Sequence, residues 1–185
     1  YLFGMLSSGI SYYLMLTGVY RLTIDEPYHE NQEAEARINY LAYHDDLTGL
    51  PNRRRLMQRV EEMIVQSEKD KSRGFSALVI MNINHFKNIN DSLGHYAGDL
   101  LLQLVSERFQ NEVQVNEELF SMGADEFAFL MTERTGVESC LVRASELLRL
   151  FETPVQLESG EYHISLSLGM SIHPGDGETA EQLIQ

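Results

Sequence analysis

The run Phe75-Ser-Ala-Leu-Val-Ile-Met-Asn82 constrains this chain more than any other stretch. A nearly continuous apolar run of this length reads as a strand buried on both faces, so the sheet it belongs to needs cover on each side. The strand delivers Asn82 and Asn84 to its C-terminal end. Helical spacing surrounds it. Leu56, Val60 and Met63 precede it, with Asn52 placed to cap that helix. Downstream, Gly94 and Gly98 punctuate two short helical pieces, and Asp99 is expected to open a helix through Leu102, Val105 and Phe109. Leu141, Ala144, Leu147, Leu148 and Phe151 share one side of a further helix between Gly136 and Phe151. Val155–Leu157 and Tyr162–Ile172 read as a hairpin turning at Ser159-Gly160. The order helix, strand, helix, helix, hairpin, helix, hairpin predicts an α/β fold on a mostly antiparallel central sheet flanked by helices.

The first hairpin is Phe120-Ser-Met-Gly-Ala-Asp-Glu-Phe-Ala-Phe-Leu130. Leu119 and Met122 precede its turn, and Phe127, Phe129 and Met131 follow on one pleat face. Asp125 and Glu126 stand at the turn beside Gly123. Gly and Asp are ordinary turn formers. Carboxylates beside glycine also suit a divalent cation held against a phosphate.

Composition narrows the partners. A formal net charge of −14 argues against nucleic acid, since phosphate backbones are bound by basic surfaces. A single nucleotide remains compatible, because a metal and one or two lysines offset its charge locally. The one cysteine, Cys140, excludes an intrachain disulfide and fits a reducing, cytoplasmic setting.

The first 29 residues differ from the rest. Tyr1 to Tyr20 carries no charge but is diluted by Gly4, Ser7, Ser8, Gly9 and several tyrosines, which leaves buried strands or a membrane segment open. Leu22 and Ile24 alternate with polar neighbours as in a strand, over a segment from Tyr12 to Ile24. Glu30 to Tyr43 has Ala34, Ile38, Leu41 and Ala42 at helical spacing, as in an amphipathic connecting helix. A strand ending in Thr23-Ile24-Asp25-Glu26 and leading into such a helix resembles the end of a PAS sensor domain. The expected organisation is a sensor remnant over 1–29, PAS-like or membrane-proximal, a connecting helix over 30–43, and a catalytic-type domain over 44–185.

Three separated motifs carry a stronger resemblance. They are Asp45-x-Leu47-Thr48-Gly49-Leu50-x-Asn52-Arg53, Asn84-x-Phe86-Lys87-x-x-Asn90-Asp91-x-x-Gly94-His95-x-x-Gly98-Asp99, and Gly123-Ala124-Asp125-Glu126-Phe127. Ser167-Leu168-Gly169 and Pro174-x-Asp176-Gly177 support them. Over roughly residues 38 to 185 the chain resembles the GGDEF domains of bacterial diguanylate cyclases, in a GADEF form. The resemblance implies a nucleotide-cyclase-like fold that takes GTP and Mg²⁺ and joins two GTP molecules into cyclic di-GMP across a homodimer. It implies metal contacts from Asp125, the Ile83 backbone and position 82, and catalytic acids Asp125 and Glu126. It places Asn90 and Asp99 at the guanine edge, and His85, Phe86 and Lys87 near the phosphates.

The chain departs from that pattern where the chemistry is most demanding. Asn82 stands at the metal-binding Asp position, Ala124 replaces the second glycine, and Ser121 stands where an arginine is common. Arg-x-x-Asp, the product-inhibition motif, would fall at Gln114 to Glu117, where its charge pattern is not met. The closing Ala-Asp-x-Ala-Met-Tyr segment is expected beyond Gln185. The forms Leu50-Pro51-Asn52-Arg53 and Asn90-Asp91-Ser92-Leu93-Gly94-His95 resemble GGDEF domains followed by an EAL phosphodiesterase domain. The implied function is cyclic di-GMP signalling by a domain inactive as a cyclase, which binds GTP or docks to regulate an attached EAL module. An active cyclase and a nucleotide-free interaction platform are the alternatives. A cytoplasmic bacterial protein, or the cytosolic part of a membrane-anchored sensor, fits each.

Overall fold

The computed structural model describes residues 15, 37, 38, 40–70, 74–157 and 160–185. The chain divides into two units, Tyr1–Ala42 and Tyr43–Gln185. In the first, Arg37, Ile38 and residues 40–42 are helical, as the connecting helix requires. Met15 is also helical, which corrects the strand expected over Tyr12 to Ile24 at that residue. The rest of the expected sensor remnant lies outside the described residues. No helix among the described residues is long and apolar enough to cross a membrane.

In the second unit, the apolar run forms strand β1, Phe75–Ile83. It occupies a central position because both its neighbours are antiparallel strands: β3, Glu126–Arg134, on one side and β6, Leu166–His173, on the other. Strand β2, Glu117–Gly123, completes the sheet in the order β2-β3-β1-β6. Alternate residues of β1 enter two separate cores. Val79, Met81 and Ile83 join Phe127, Phe129 and Met131 on one face. Leu78 joins Phe120, Ala128 and Leu130 on the other. Strands β2 and β3 are therefore buried on both faces, beyond the single apolar face read from their alternation. Met122, two residues after Phe120, lies on the same face and packs against the second core, and the register shifts between Ser121 and Gly123.

Helices cover each face. Helix α1, Arg53–Lys69, starts where the Asn52 side chain accepts a hydrogen bond from the Arg55 N–H, and it buries Leu56, Val60 and Met63. It shares the second core with α5, Ala180–Ile184, through Ala180 and Leu183. The first core is covered by α3, His95–Gln110, and α4, Val137–Arg149. Phe109 of α3 sits 5.5, 5.3 and 5.0 Å from the rings of Phe127, Phe129 and Phe151 in tilted and edge-on geometries. Such ring pairs add to area burial because ring edges and faces carry opposite partial charge.

Two elements differ from expectation. On α4, Cys140, Arg143, Ala144 and Leu147 are buried, while Leu141 and Leu148 are exposed. The cause is electrostatic. The helix turns Arg143 inward to meet Glu117, whose carboxylate accepts from Arg143 Nε at 2.9 Å and Nη2 at 3.0 Å and also pairs with Arg134. The second departure is at Tyr162–Ile172, which is not one strand. Strands β4, Val155–Leu157, and β5, Gly160–Tyr162, make a separate two-stranded ribbon, and β6 begins only at Leu166. The break follows from Ile164, which plugs into the first core, and from Ser165, whose carbonyl accepts the Asn84 N–H.

Candidate functional site

The register brings the singled-out residues to one end of the sheet. Asn82 lies opposite Glu126 on β3 and opposite Ser167 on β6. The next residue, Ile83, donates its N–H to the Asp125 carbonyl at 3.1 Å, fastening the hairpin turn to the end of β1. Asn82 and Asp125 are half-buried and Glu126 is exposed. Asn84, missed as a site residue, is tied twice to β6. Its Nδ2 donates to Ser165 Oγ at 3.0 Å, and its Oδ1 accepts from Ser167 Oγ at 2.6 Å. The Ser-x-Gly run of β6 was the signal that could have found it.

The turn itself is two residues, Ala124-Asp125, closed by the Gly123–Glu126 pair. Gly123 has φ +97 and Ala124 has φ +50. A methyl-bearing residue in this left-handed region costs about 1 kcal/mol, which glycine avoids. Ser121 is buried, and its N–H donates to the Pro51 carbonyl at 2.9 Å, joining the hairpin to the start of α1. Asp45 serves the same corner: its Oδ1 accepts from the Thr48 N–H at 2.9 Å and from Thr48 Oγ1 at 2.6 Å.

Beyond β1 the chain enters α2, Phe86–Leu93, through His85, which is left-handed (φ +59) and makes no side-chain cap. The N–H groups of His85, Phe86 and Lys87 find no acceptor among the described residues. Uncapped amides at a helix start, with the exposed Lys87 beside them, are arranged to receive an anion. Phe86 and Asn90, one turn apart on α2, both pack onto Gly98. A Cβ at Gly98 would lie 1.8 Å from Asn90 Oδ1 and 3.3 Å from Phe86 Cζ. This corrects the reading of Gly98 as a helix break and of Asp99 as a helix start. Gly94 (φ +85) makes the break, α3 begins at His95, and both residues lie within it. Gly98 is there for close approach. Asn90 Oδ1 is buried without a hydrogen-bond partner, and Asp99, the residue after Gly98, is exposed. Neither Asn90 nor Asp99 caps a helix, so the capping role that would make them merely structural does not apply.

Among the described residues, no group of three or more His, Cys, Asp and Glu side chains gathers as a metal ligand set. The donors at this end of the sheet are the carboxylates of Asp125 and Glu126 and the amide of Asn82. Mg²⁺ takes one or two carboxylates and completes its shell with water and phosphate oxygens. The residues thus fit a Mg²⁺ that arrives with a nucleotide and completes its shell with phosphate and water oxygens. Glu117 points inward, its side chain fully buried between Arg143 and Arg134, and it also accepts from the Gln114 N–H at 3.0 Å. Burial penalises the Arg143 guanidinium, yet the Glu117 hydrogen bonds outweigh that and raise its pKa further, so it stays charged.

A central antiparallel sheet with helices on both faces, a tight acidic hairpin fastened to the end of the central strand, and an uncapped helix after it define a nucleotidyl-cyclase-like domain. The chain belongs to the GGDEF family: the family model described as "Diguanylate cyclase, GGDEF domain" matches residues 42–185. It is 37% identical over 151 residues to the bifunctional diguanylate cyclase/cyclic di-GMP phosphodiesterase MucR of Pseudomonas aeruginosa, covering 82% of this chain and 22% of MucR. It is 34% identical over 154 residues to the cyclic di-GMP phosphodiesterase NbdA of the same organism, covering 82% of this chain and 19% of NbdA. The chain thus spans about a fifth of the length of these curated relatives. Among solved structures, a sensory box/GGDEF family protein of Caulobacter crescentus is 35% identical with a TM-score of 0.69, over 77% of this chain and 90% of that one. The isolated GGDEF domain of TpbB from Pseudomonas aeruginosa is 28% identical with a TM-score of 0.72, over 76% and 81% of the two chains.

Proposed function

We propose that this chain is a GGDEF domain that has lost cyclase chemistry, still binds GTP through its base, and regulates an EAL phosphodiesterase module of the same protein. The observation that carries the first part is Asn82 at the end of β1, directly opposite Glu126. The amide supplies an oxygen but no charge. Mg²⁺, when bound, neutralises phosphate charge and aligns the attacking 3′-hydroxyl with the α-phosphate. Asp125 would hold it with Asn82 and the Ile83 backbone, with Glu126 beside them. Ala124 works in the same direction, because its strained backbone puts a methyl group at the tip where phosphates would pass.

The base-binding half is preserved. Asn90 keeps an unpaired oxygen beside Gly98, Asp99 is free to accept from the guanine N1–H and N2–H groups, and the α2 amides with His85, Phe86 and Lys87 face the phosphates. A carboxylate that accepts two N–H bonds selects guanine over adenine, which lacks that donor pair. The regulatory role draws on relatives whose names join a cyclase to a phosphodiesterase, MucR, or name a phosphodiesterase, NbdA.

The test is a turnover assay on the full-length protein with GTP and Mg²⁺, after blocking any phosphodiesterase activity. The expected result is no detectable cyclic di-GMP, with partial recovery in the Asn82→Asp/Ala124→Gly double variant. Robust synthesis by the unmodified protein would return the site to the active cyclases.

A further inference from the structure

Helix α4 carries an apolar strip on its open side. Among the described residues, the second unit exposes eight large apolar side chains, and four of them stand on this one helix: Val137, Leu141, Val142 and Leu148. Val137, Leu141 and Leu148 fall on one line of the helix, at steps of four and seven residues. They are 42, 47 and 37% exposed. Their position follows from the inward turn of Arg143 to Glu117, which carries Leu141 and Leu148 out of the core. Single apolar side chains on a surface are ordinary, whereas a strip along one helix is the pattern of a helix that packs on another.

The charges beside the strip say what covers it. Glu138 stands in the first turn of α4 and Arg149 in the last. Their spacing is about three full turns, so they too share one side of the helix. Neither side chain has a partner among the described residues, whereas Glu146 pairs with Arg143 at 3.1 Å. Two copies of α4 laid antiparallel bring Glu138 of each onto Arg149 of the other, at both ends of the contact. The same two-fold axis sets Leu141 of each against Leu148 of the other. The midpoints of the charged pair and of the leucine pair differ by only about 1.5 Å along the helix. A contact between identical copies needs this kind of self-match, one surface complementary to itself. An unrelated partner would not require it.

We propose that the α4 strip is a contact between two copies of this chain, packed antiparallel about a two-fold axis. Val137, Leu141 and Leu148 form its apolar centre line, and the Glu138–Arg149 pairs close its two ends and set the direction. It uses no residue of the acidic turn, of α2 or of the connecting helix. Three side chains from each copy bury far less than the roughly 800 Å² per partner of a stable complex, so the contact is weak and forms at high concentration.

Sedimentation equilibrium tests it, on the whole chain carrying Ile38→Glu so that the exposed apolar residues of the connecting helix add nothing. Reversible dimerisation is expected, with a Kd of about 100–500 µM. Leu141→Glu should weaken it at least about tenfold, since it brings an unpaired charge into the apolar centre. Glu138→Arg sets two cations at each end of the contact, and Arg149→Glu sets two anions there. Each reversal alone should weaken association roughly tenfold. The two shift the net charge of −14 in opposite directions, so a general charge effect cannot weaken both. Mixing the two variants puts opposite charges back at both ends and should restore association, a recovery that a contact through any other surface would not show. A chain that stays monomeric up to about 1 mM leaves the strip to some other partner and overturns the proposal. Reversals without effect, or a mixture that associates no better than its components, overturn it as well.

Discussion

On the proposed reading, two neighbouring side chains, Asp99 and Asn90, recognise the nucleotide base. The amide oxygen of Asn90 is buried without a partner among the described residues, and it sits where a Cβ at Gly98 would be. Asp99 follows immediately on α3. A carboxylate–guanine contact contributes roughly 1.5–3 kcal/mol. Asp99→Ala should therefore weaken GTP about tenfold to a hundredfold and erase its advantage over ATP. Competition binding with the two nucleotides reads this directly, and an unchanged GTP preference would move base recognition elsewhere. In the proposal Asn82 and Ala124 act at a different place, on metal and phosphate, so that one capacity can be lost while the other is retained.

At the scale of elements, the buried strand was legible from sequence because its apolar run is continuous, and α1 because Asn52, Leu56, Val60 and Met63 all agree. The acidic hairpin and its two turn residues were legible too, whereas the positive φ at Ala124 came from the structure. Other features depended on contacts that no local pattern encodes. Gly98 looked like punctuation because its reason, Asn90, approaches from another helix. The face of α4 was misread because Arg143 is buried in place of Leu141 and Leu148, drawn in by Glu117 from a distant strand. The clamp of Asn84 on Ser165 and Ser167 likewise joins distant strands, and only the Ser-x-Gly run of β6 hinted at it. The α4 assignment carries its own prediction. Arg143→Ala should lower stability by about 3 kcal/mol, because it strips a fully buried carboxylate of a main partner. Chemical denaturation of both proteins measures it. A change below about 1 kcal/mol, the size of an exposed pair, would mean Arg134 alone suffices.

For the whole molecule, the proposal is a nucleotide-responsive regulator within a longer protein. The connecting helix expected over 30–43 would carry Ala34, Ile38 and Leu41 at helical spacing, and of these Ile38 and Leu41 are described and exposed in the single chain. Pairing of this helix with its copy would bring two domains together. Sedimentation equilibrium should accordingly detect a dimer that Ile38→Glu dissociates, whereas a monomer at high concentration would contradict it. The central claim, that GTP is held through its base without the metal chemistry of synthesis, is tested most directly by titration calorimetry with GTP and ATP, each with Mg²⁺ and with EDTA. The account predicts saturable GTP binding that survives EDTA with a modest loss, and little or no ATP binding. An absence of GTP binding at millimolar concentration, or binding that vanishes with EDTA, would contradict it.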